Sequence, residues 1–386
     1  MSDDALPESD RAPGAPHPRE TPEVIGQDAA KAAFLEAFNS GRLHHAWLIT
    51  GPHGVGKATL AWTIARFLLA MPMPQPEGGA GLFGDALPDA TPQTLDIDPD
   101  HPVSRRILAM SEPGLFLLRR PYDEKSKRLK TQITVDEVRR LKGFFSLSAV
   151  DGGRRVVIID AADEMNISAA NAVLKLLEEP PADTTLLLIS HQPSHLLPTI
   201  RSRCRELRLN SLDRHGMAEA LALAGIETET ANTAALAELS AGSVGEAIRL
   251  VNLNGLALYD EIISLLGGLP DLDRARAIRL GESAAGRTAE DRYALLLGLL
   301  DLALVRVART GATGQPPVIE AAPNEAGILT RLAPSPHAAR AWAETAQTVS
   351  ARLRHGRAVN LDPAALILDT LLKLRSTAAD LARQHG

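Results

Sequence analysis

Short apolar runs alternate with amphipathic stretches from residue 21 to about 208, and this alternation sets the first expectation. AWLIT at 46–50 reads as a strand, followed by a glycine-rich turn and a helix from Lys57 to about Ala70. LFLLR at 115–119 predicts the next strand. Thr134 and Glu137 have capping-box spacing at the head of an amphipathic helix that runs through about Ser146. RVVIID at 155–160 is a β-branched run suited to a strand covered on both faces. A helix is expected from Asn166 to Glu179, where Pro180 disfavours further helical geometry. TTLLLIS at 184–190 and RELRL from Arg205 to Leu209 supply two more strands. Strands separated by helices imply a parallel sheet with helices on both faces.

Beyond residue 210 the period changes to 3.6. Asp213–Ala224, Thr230–Ala241 and Ser243–Leu253 read as three short helices, the size of a lid. From about 256 the chain is helical, with loops marked by Pro316, Pro317, Pro334 and Pro336, and no solenoid repeat is visible. The most apolar stretch, Tyr293 to Val305, contains Asp301 and falls short of the ~18 residues of a membrane span. It predicts a buried helix, with no membrane partner.

Composition narrows the function classes. Lys and Arg total 41 against 47 Asp and Glu, a net charge of -6, which argues against a freestanding polybasic nucleic-acid binder. Aromatics at 3% leave little for a base-stacking platform. The lone cysteine, Cys204, excludes an intramolecular disulfide and a four-cysteine zinc site. Residues 1–20 begin with acids, contain four prolines and have no apolar run. They read as a disordered lead-in without a targeting signal, and the expected location is cytoplasmic. Residues 71–104 hold seven prolines, six acids and no Lys or Arg, which marks an insertion or long surface loop.

The chemistry concentrates at GPHGVGK, residues 51–57. This G-x-x-x-x-G-K pattern sits between a strand and a helix, as a P-loop must. Gly51, Gly54 and Gly56 let backbone amides turn toward phosphates, the helix N-terminus adds positive charge, and Lys57 reaches the β- and γ-phosphates. ATP is the cofactor this pattern suits. The next residue should be Ser or Thr to ligate Mg²⁺, but it is Ala58. Thr59 lies about 100° further around the helix, in reach of the α-phosphate and not of the metal. Asp160 ends its strand where a Walker-B aspartate belongs, yet Ala161 follows where an active motor carries Glu. Asp163 and Glu164 are expected at a helix start, where acids favour the macrodipole. Hydrolysis positions are lost while the fold's positions are kept.

VIGQ at 24–27, the P-loop, NAVLKLLEEPP at 171–181 and TIRSRC at 199–204 together resemble bacterial clamp-loader subunits, the AAA+ branch of DNA polymerase III. The motifs cover residues 21 to about 253. The resemblance implies an α/β AAA+ P-loop domain over 21–209 with a parallel sheet, a small helical lid domain over 210–254 and an all-helical collar domain over 255–386. The family's four-cysteine zinc module would be replaced by residues 71–104, with no zinc. Motor subunits, gamma and tau, carry a sensor-2 arginine where this chain has Gly245; Arg249, one turn on, reads as a solvated helix charge. With Ala58 and Ala161, that pattern resembles the delta prime branch, and the delta branch, which lacks P-loop and SRC, less well.

The resemblance further implies that Arg203 is an arginine finger acting on a neighbour's ATP; on its own it would read as a helix-end cation. It also implies motor and delta subunits, the sliding clamp and primed DNA as partners, with the chain's own ATPase weak or absent. Glu178 and Glu179 are either solvated helix-end charges or face a neighbouring subunit. Ser190 and His191 occupy the sensor-1 place, His191 either touching phosphate or simply hydrogen-bonding. Cys204 suits a small buried hydrophobe. Two other readings remain: an active gamma- or tau-like ATPase using Lys57 and Asp160, with Asp163 in an unusual metal ligation, and a direct DNA binder using the basic stretch Arg105, Arg106, Arg119, Arg120, Lys125, Lys127, Arg128 and Lys130, which otherwise reads as a solvated loop.

Overall fold

A computed structural model describes residues 7–72, 91–146, 153–284 and 290–385. The chain divides into two compact units: Met1–Ile226 with Ser243–Gly245, and Glu227–Gly242 with Glu246–Gly386.

The first unit is built on five parallel strands: β1 (Ala46–Thr50), β2 (Leu115–Arg119), β5 (Arg155–Asp160), β6 (Thr184–Ser190) and β7 (Arg205–Arg208). Their spatial order is β2-β5-β6-β1-β7. A small antiparallel ribbon pairs β3 (Tyr122–Asp123) with β4 (Arg128–Leu129). α1 (Asp28–Asn39) precedes β1; between the strands lie α2 (Lys57–Ala70), α3 (Pro102–Leu108), α4 (Val135–Ser146), α5 (Ile167–Glu178) and the short α6 (Pro198–Arg201), with α7 (Arg214–Leu223) following β7. The strands' period of two splits the core into two layers. Trp47, Ile49, Val156, Ile158, Leu187 and Ile189 join Phe34 of α1 and most of α2 on one face. Leu48, Val157, Ile159, Leu186 and Leu188 join Val138 and Leu141 of α4 and Ala169 and Val173 of α5 on the other. Every residue of β1 and β6 is buried, which explains why they read as continuous apolar runs. The α/β P-loop fold class expected from the alternation is the one observed. β1 lies between β6 and β7, so chain connections diverge there and open a crevice beyond the strands' C-terminal ends.

The second unit is helical: α8 (Thr230–Leu239), α9 (Val244–Asn252, its first residues clustering with the first unit), α10 (Gly255–Gly267), α11 (Arg274–Ser283), α12 (Glu290–Thr313), α13 (Glu325–Leu332), α14 (Pro336–Ala358) and α15 (Pro363–His385). α12 packs along α14 and α10, and α15 along α11 and α14. α12 buries one face through Leu296, Leu300, Leu304 and Val307, while Val305 on the other side is 56% exposed. Among the described residues no helix is long and apolar enough to cross a membrane.

Three expectations need correction. Residues 7–20, expected to be disordered, are folded: Asp10 and His17 are buried, and Arg19 lends its carbonyl to Arg66 of α2 at 2.9 Å. Their order comes from ion pairs with distant residues, which composition does not reveal. In the 71–104 stretch, residues 73–90 lie outside the described part, but 91–104 are not simply a surface loop: Leu95 and Val103 enter the core and Pro102 opens α3. The basic stretch is not uniformly solvated either. Arg119 pairs with Glu8 and Asp10, and Arg120 with Glu164 at 2.6 Å.

Candidate nucleotide site and the SRC turn

The P-loop leaves β1 at Gly51 and enters α2 at Lys57. Gly51 has φ +140° and a Cβ there would lie 2.5 Å from the Leu209 carbonyl oxygen, so no other residue fits the turn. Gln27, from VIGQ, ties the loop to the end of the sheet: its amide nitrogen donates to Val55 O at 3.2 Å and Asn210 O at 2.8 Å, and its oxygen accepts from Asn210 N. Ala58 and Thr59 occupy the first turn of α2, both half-buried.

Lys57 is buried, and its Nζ donates to the carbonyls of Gly51, at 2.8 Å, and Pro52. Burial pulls its pKa down to about 8, opposed by the charges of Asp160 and Asp163. Asp160 ends β5 inside the same crevice. Burial, then the charges of Asp10 and Glu164, push its pKa up to about 8, with Lys57 opposing. A carboxyl held protonated in the fold loses relative stability once the unfolded chain can ionise it. The folded pKa is the higher one, so the penalty is absent below about pH 4, grows as pH rises and levels off above about 8. Asp160→Asn is therefore expected to raise the thermal midpoint over the parent chain by more at pH 8 than at pH 5. An equal difference at both pH values would contradict this.

Asp163 is engaged in holding the next loop. Its two oxygens accept from the amides of His191 at 3.0 Å and Gln192 at 3.3 Å, fixing the end of β6 against the turn after β5. His191 lies beside His53 of the P-loop, ring centroids 4.6 Å apart, and burial with the charges of Lys57 and His53 drives its pKa down to about 4. A neutral His191 and the buried Ser190 Oγ thus line the crevice, the Ser190 hydroxyl and His191 Nδ1 having no protein partner. Gly245 donates its amide to Gly54 O at 3.0 Å, and a Cβ on it would sit 3.1 Å from Gly54 Cα. An arginine here would press into the P-loop backbone. Arg249 pairs with Glu246 at 3.2 Å and donates to Asp291 O at 3.1 Å.

Arg203 stands apart from this crevice, in the turn after α6. It pairs with Glu178 at the end of α5 at 2.9 Å and donates to Thr199 O at 3.1 Å, with its side chain 38% exposed. The end of NAVLKLLEEPP and the SRC turn, about twenty-five residues apart, thus meet in space. Next to Arg203, Cys204 packs against the core layer of α5, and burial pushes its thiol up to about 12, which leaves it inert near neutrality. The contacts of Asp10, Glu8 and His17 around the crevice were missed from sequence. A glycine in the sensor-2 place was the one visible hint that something packs closely there.

A five-stranded parallel sheet with a P-loop after β1, beside the edge strand β7, and an aspartate ending the neighbour-but-one strand defines an α/β P-loop domain. The resemblance noted among its motifs is borne out. Residues 80–213 match the family described as "DNA polymerase III, delta subunit". The DNA polymerase III subunit delta′ of Pseudomonas aeruginosa is 38% identical over 228 residues, covering 59% of this chain and 61% of that protein. The delta′ subunit of Escherichia coli K12 is 33% identical over 218 residues, covering 56% and 57%. A tau subunit, from Salmonella typhimurium, is 28% identical over 306 residues, covering 74% of this chain and 43% of that one. The matched region spans about three fifths of the length of these delta′ relatives.

Proposed function

We propose that this chain is a delta′-type assembly subunit of a DNA polymerase III clamp loader. In this reading it presents Arg203 to the ATP of a motor neighbour of the gamma or tau kind, and residues 255–386 form the collar through which it joins the ring, residues 210–254 the lid. With a delta subunit it would assist loading of a sliding clamp on primed DNA. The observation that carries this is Arg203 itself: a partly exposed guanidinium held on a helix end, in a chain whose own site lacks the groups that hydrolysis needs.

The chain's own site retains nucleotide-binding features without the hydrolytic ones. Gly51, Gly54, Gly56, Lys57, Thr59 and Asp160 would hold ATP, and the unpartnered Ser190 hydroxyl and His191 Nδ1 suit a phosphate-lined crevice. Ala58 offers no metal ligand and Ala161 no base to orient water. An active gamma- or tau-like ATPase would have to recruit Asp163, whose oxygens already serve His191 and Gln192. The test is ATP turnover by the purified full chain together with reconstitution. Turnover is expected at background, unchanged by Lys57→Ala, and the chain is expected to complete a loader with motor and delta subunits. Turnover that disappears in Lys57→Ala, or failure to join the complex, would overturn the reading.

A further inference from the structure

Residues 8–19 lie across the C-terminal edge of the sheet, where open α/β sheets take their ligands. At one end Ser9 Oγ donates to Arg120 O at 3.3 Å and Asp10 pairs with Arg119. Arg119 is the residue of β2 in register with Asp160 of β5. Two residues later Ala12 Cβ is 3.9 Å from where a Cβ on Gly245 would stand, and Gly245 is hydrogen-bonded to Gly54 of the P-loop. Between Asp10 and Ala12 the segment therefore spans from the Asp160 side of the crevice to the P-loop. It then anchors on α2: the His17 ring meets Trp62 edge-on at 5.6 Å, and Arg66 holds Arg19 O.

We infer that this segment is a strap that occupies the metal and γ-phosphate side of the nucleotide crevice, so that ATP binds only when the strap lifts. A triphosphate entering the closed site would meet the Asp10 carboxylate beside Asp160, Glu164 and Asp163. No cluster of three His, Cys, Asp or Glu side chains among the described residues could hold a metal, so these acids form no ready-made cation site.

The strap's attachments suit reversible docking. They are polar: Arg119 pairs with Glu8 at 3.1 Å and with Asp10, Ser9 donates to Arg120 O, and Arg66 donates to Arg19 O, while the contacts of Glu8 with Arg19 and of His17 with Asp10 lie within the strap. The only apolar residue it buries is Ala15. Gly245 gains a meaning beyond a lost arginine: a Cβ on it would stand 3.1 Å from Gly54 Cα on the P-loop side and in ordinary contact, 3.9 Å, with Ala12 Cβ on the strap side, so strap and P-loop meet across this position. The inference concerns nucleotide entry alone and stands whether or not the chain serves a clamp loader.

The test is binding of a fluorescent ATP analogue with Mg²⁺ to the full chain. Docking reduces apparent affinity by the fraction of chains that are open. Glu8→Ala with Asp10→Ala is expected to bind at least about tenfold tighter than the parent. Equal affinity, including no binding by either, overturns the strap. The second variant combines Ala12→Cys with Gly245→Cys, whose Cβ separation of 3.9 Å falls within disulfide range. Oxidised, it is expected to lose binding that returns on reduction in the same sample; binding unchanged by oxidation overturns the proposal.

Discussion

Arg203→Ala is expected to slow ATP hydrolysis at the adjoining motor site of a reconstituted loader by about 10³-fold, the lower range for removal of an arginine finger. The measurement needs a complex whose other motor sites carry a P-loop lysine-to-alanine change, so that the single adjoining site is counted. Two readings of Arg203 separate here by magnitude. As a helix-end cation, its pair with Glu178 joins groups 38% and 44% exposed and contributes at most about 1 kcal/mol to folding. Its loss would then leave hydrolysis in the neighbour untouched. As a finger, it offsets charge on the transferring phosphoryl group, and the loss is kinetic. Subunit assembly and the thermal midpoint should barely change in either case. Arg203→Lys keeps the charge and loses the planar fork, so it should restore only part of the rate. Full activity in Arg203→Ala would remove the finger from the mechanism.

What could be read in advance, and what could not, follows from the range of the interactions. Val156–Ile159 and Thr184–Ser190 announced buried parallel strands because both faces are covered, and the strand bounds hold to within a residue. The P-loop was legible because its glycines and Lys57 lie within seven residues. The SRC turn was legible only through resemblance, since its partner Glu178 belongs to another helix. The strap was not legible at all. Its prolines and acids are those of a disordered tail, and its order depends on Arg119, 109 residues from Asp10. Asp163 misled for the same reason: locally it looks like an acid at a helix start, but its acceptors serve amides 28 and 29 residues away. Long-range polar pairing leaves no periodicity to read.

The same blindness applies to Glu325, and substituting it is expected to have the largest effect on stability. It opens α13 and would pass for an acid placed on the helix macrodipole. Instead it is fully buried. Tyr259 donates its hydroxyl to Oε1 at 2.6 Å, the amide of Ala321 donates to Oε2 at 2.8 Å, and Arg306 Nε lies 2.8 Å from Oε1. Arg306, itself nearly buried, also reaches Glu238 at 2.9 Å and Ile319 O at 3.1 Å. Burial and the Glu325 charge raise the Tyr259 pKa, so the phenol remains a donor. Glu325→Ala removes the acceptor, leaves a buried hydroxyl and a buried amide without a partner, and leaves the buried Arg306 with the partly exposed Glu238 as its remaining counter-charge. Breaking such a pair costs about 3–5 kcal/mol. The expected result is a fall of that size in the unfolding free energy of the helical unit, followed by circular dichroism in denaturant. Glu325→Gln keeps an oxygen for Tyr259 and should lose less. Replacing the trio together, Tyr259→Phe, Arg306→Met and Glu325→Leu, leaves no orphaned charge and should recover much of the loss. If the triple variant is as unstable as Glu325→Ala, packing and not charge compensation holds α10, α12 and α13 together.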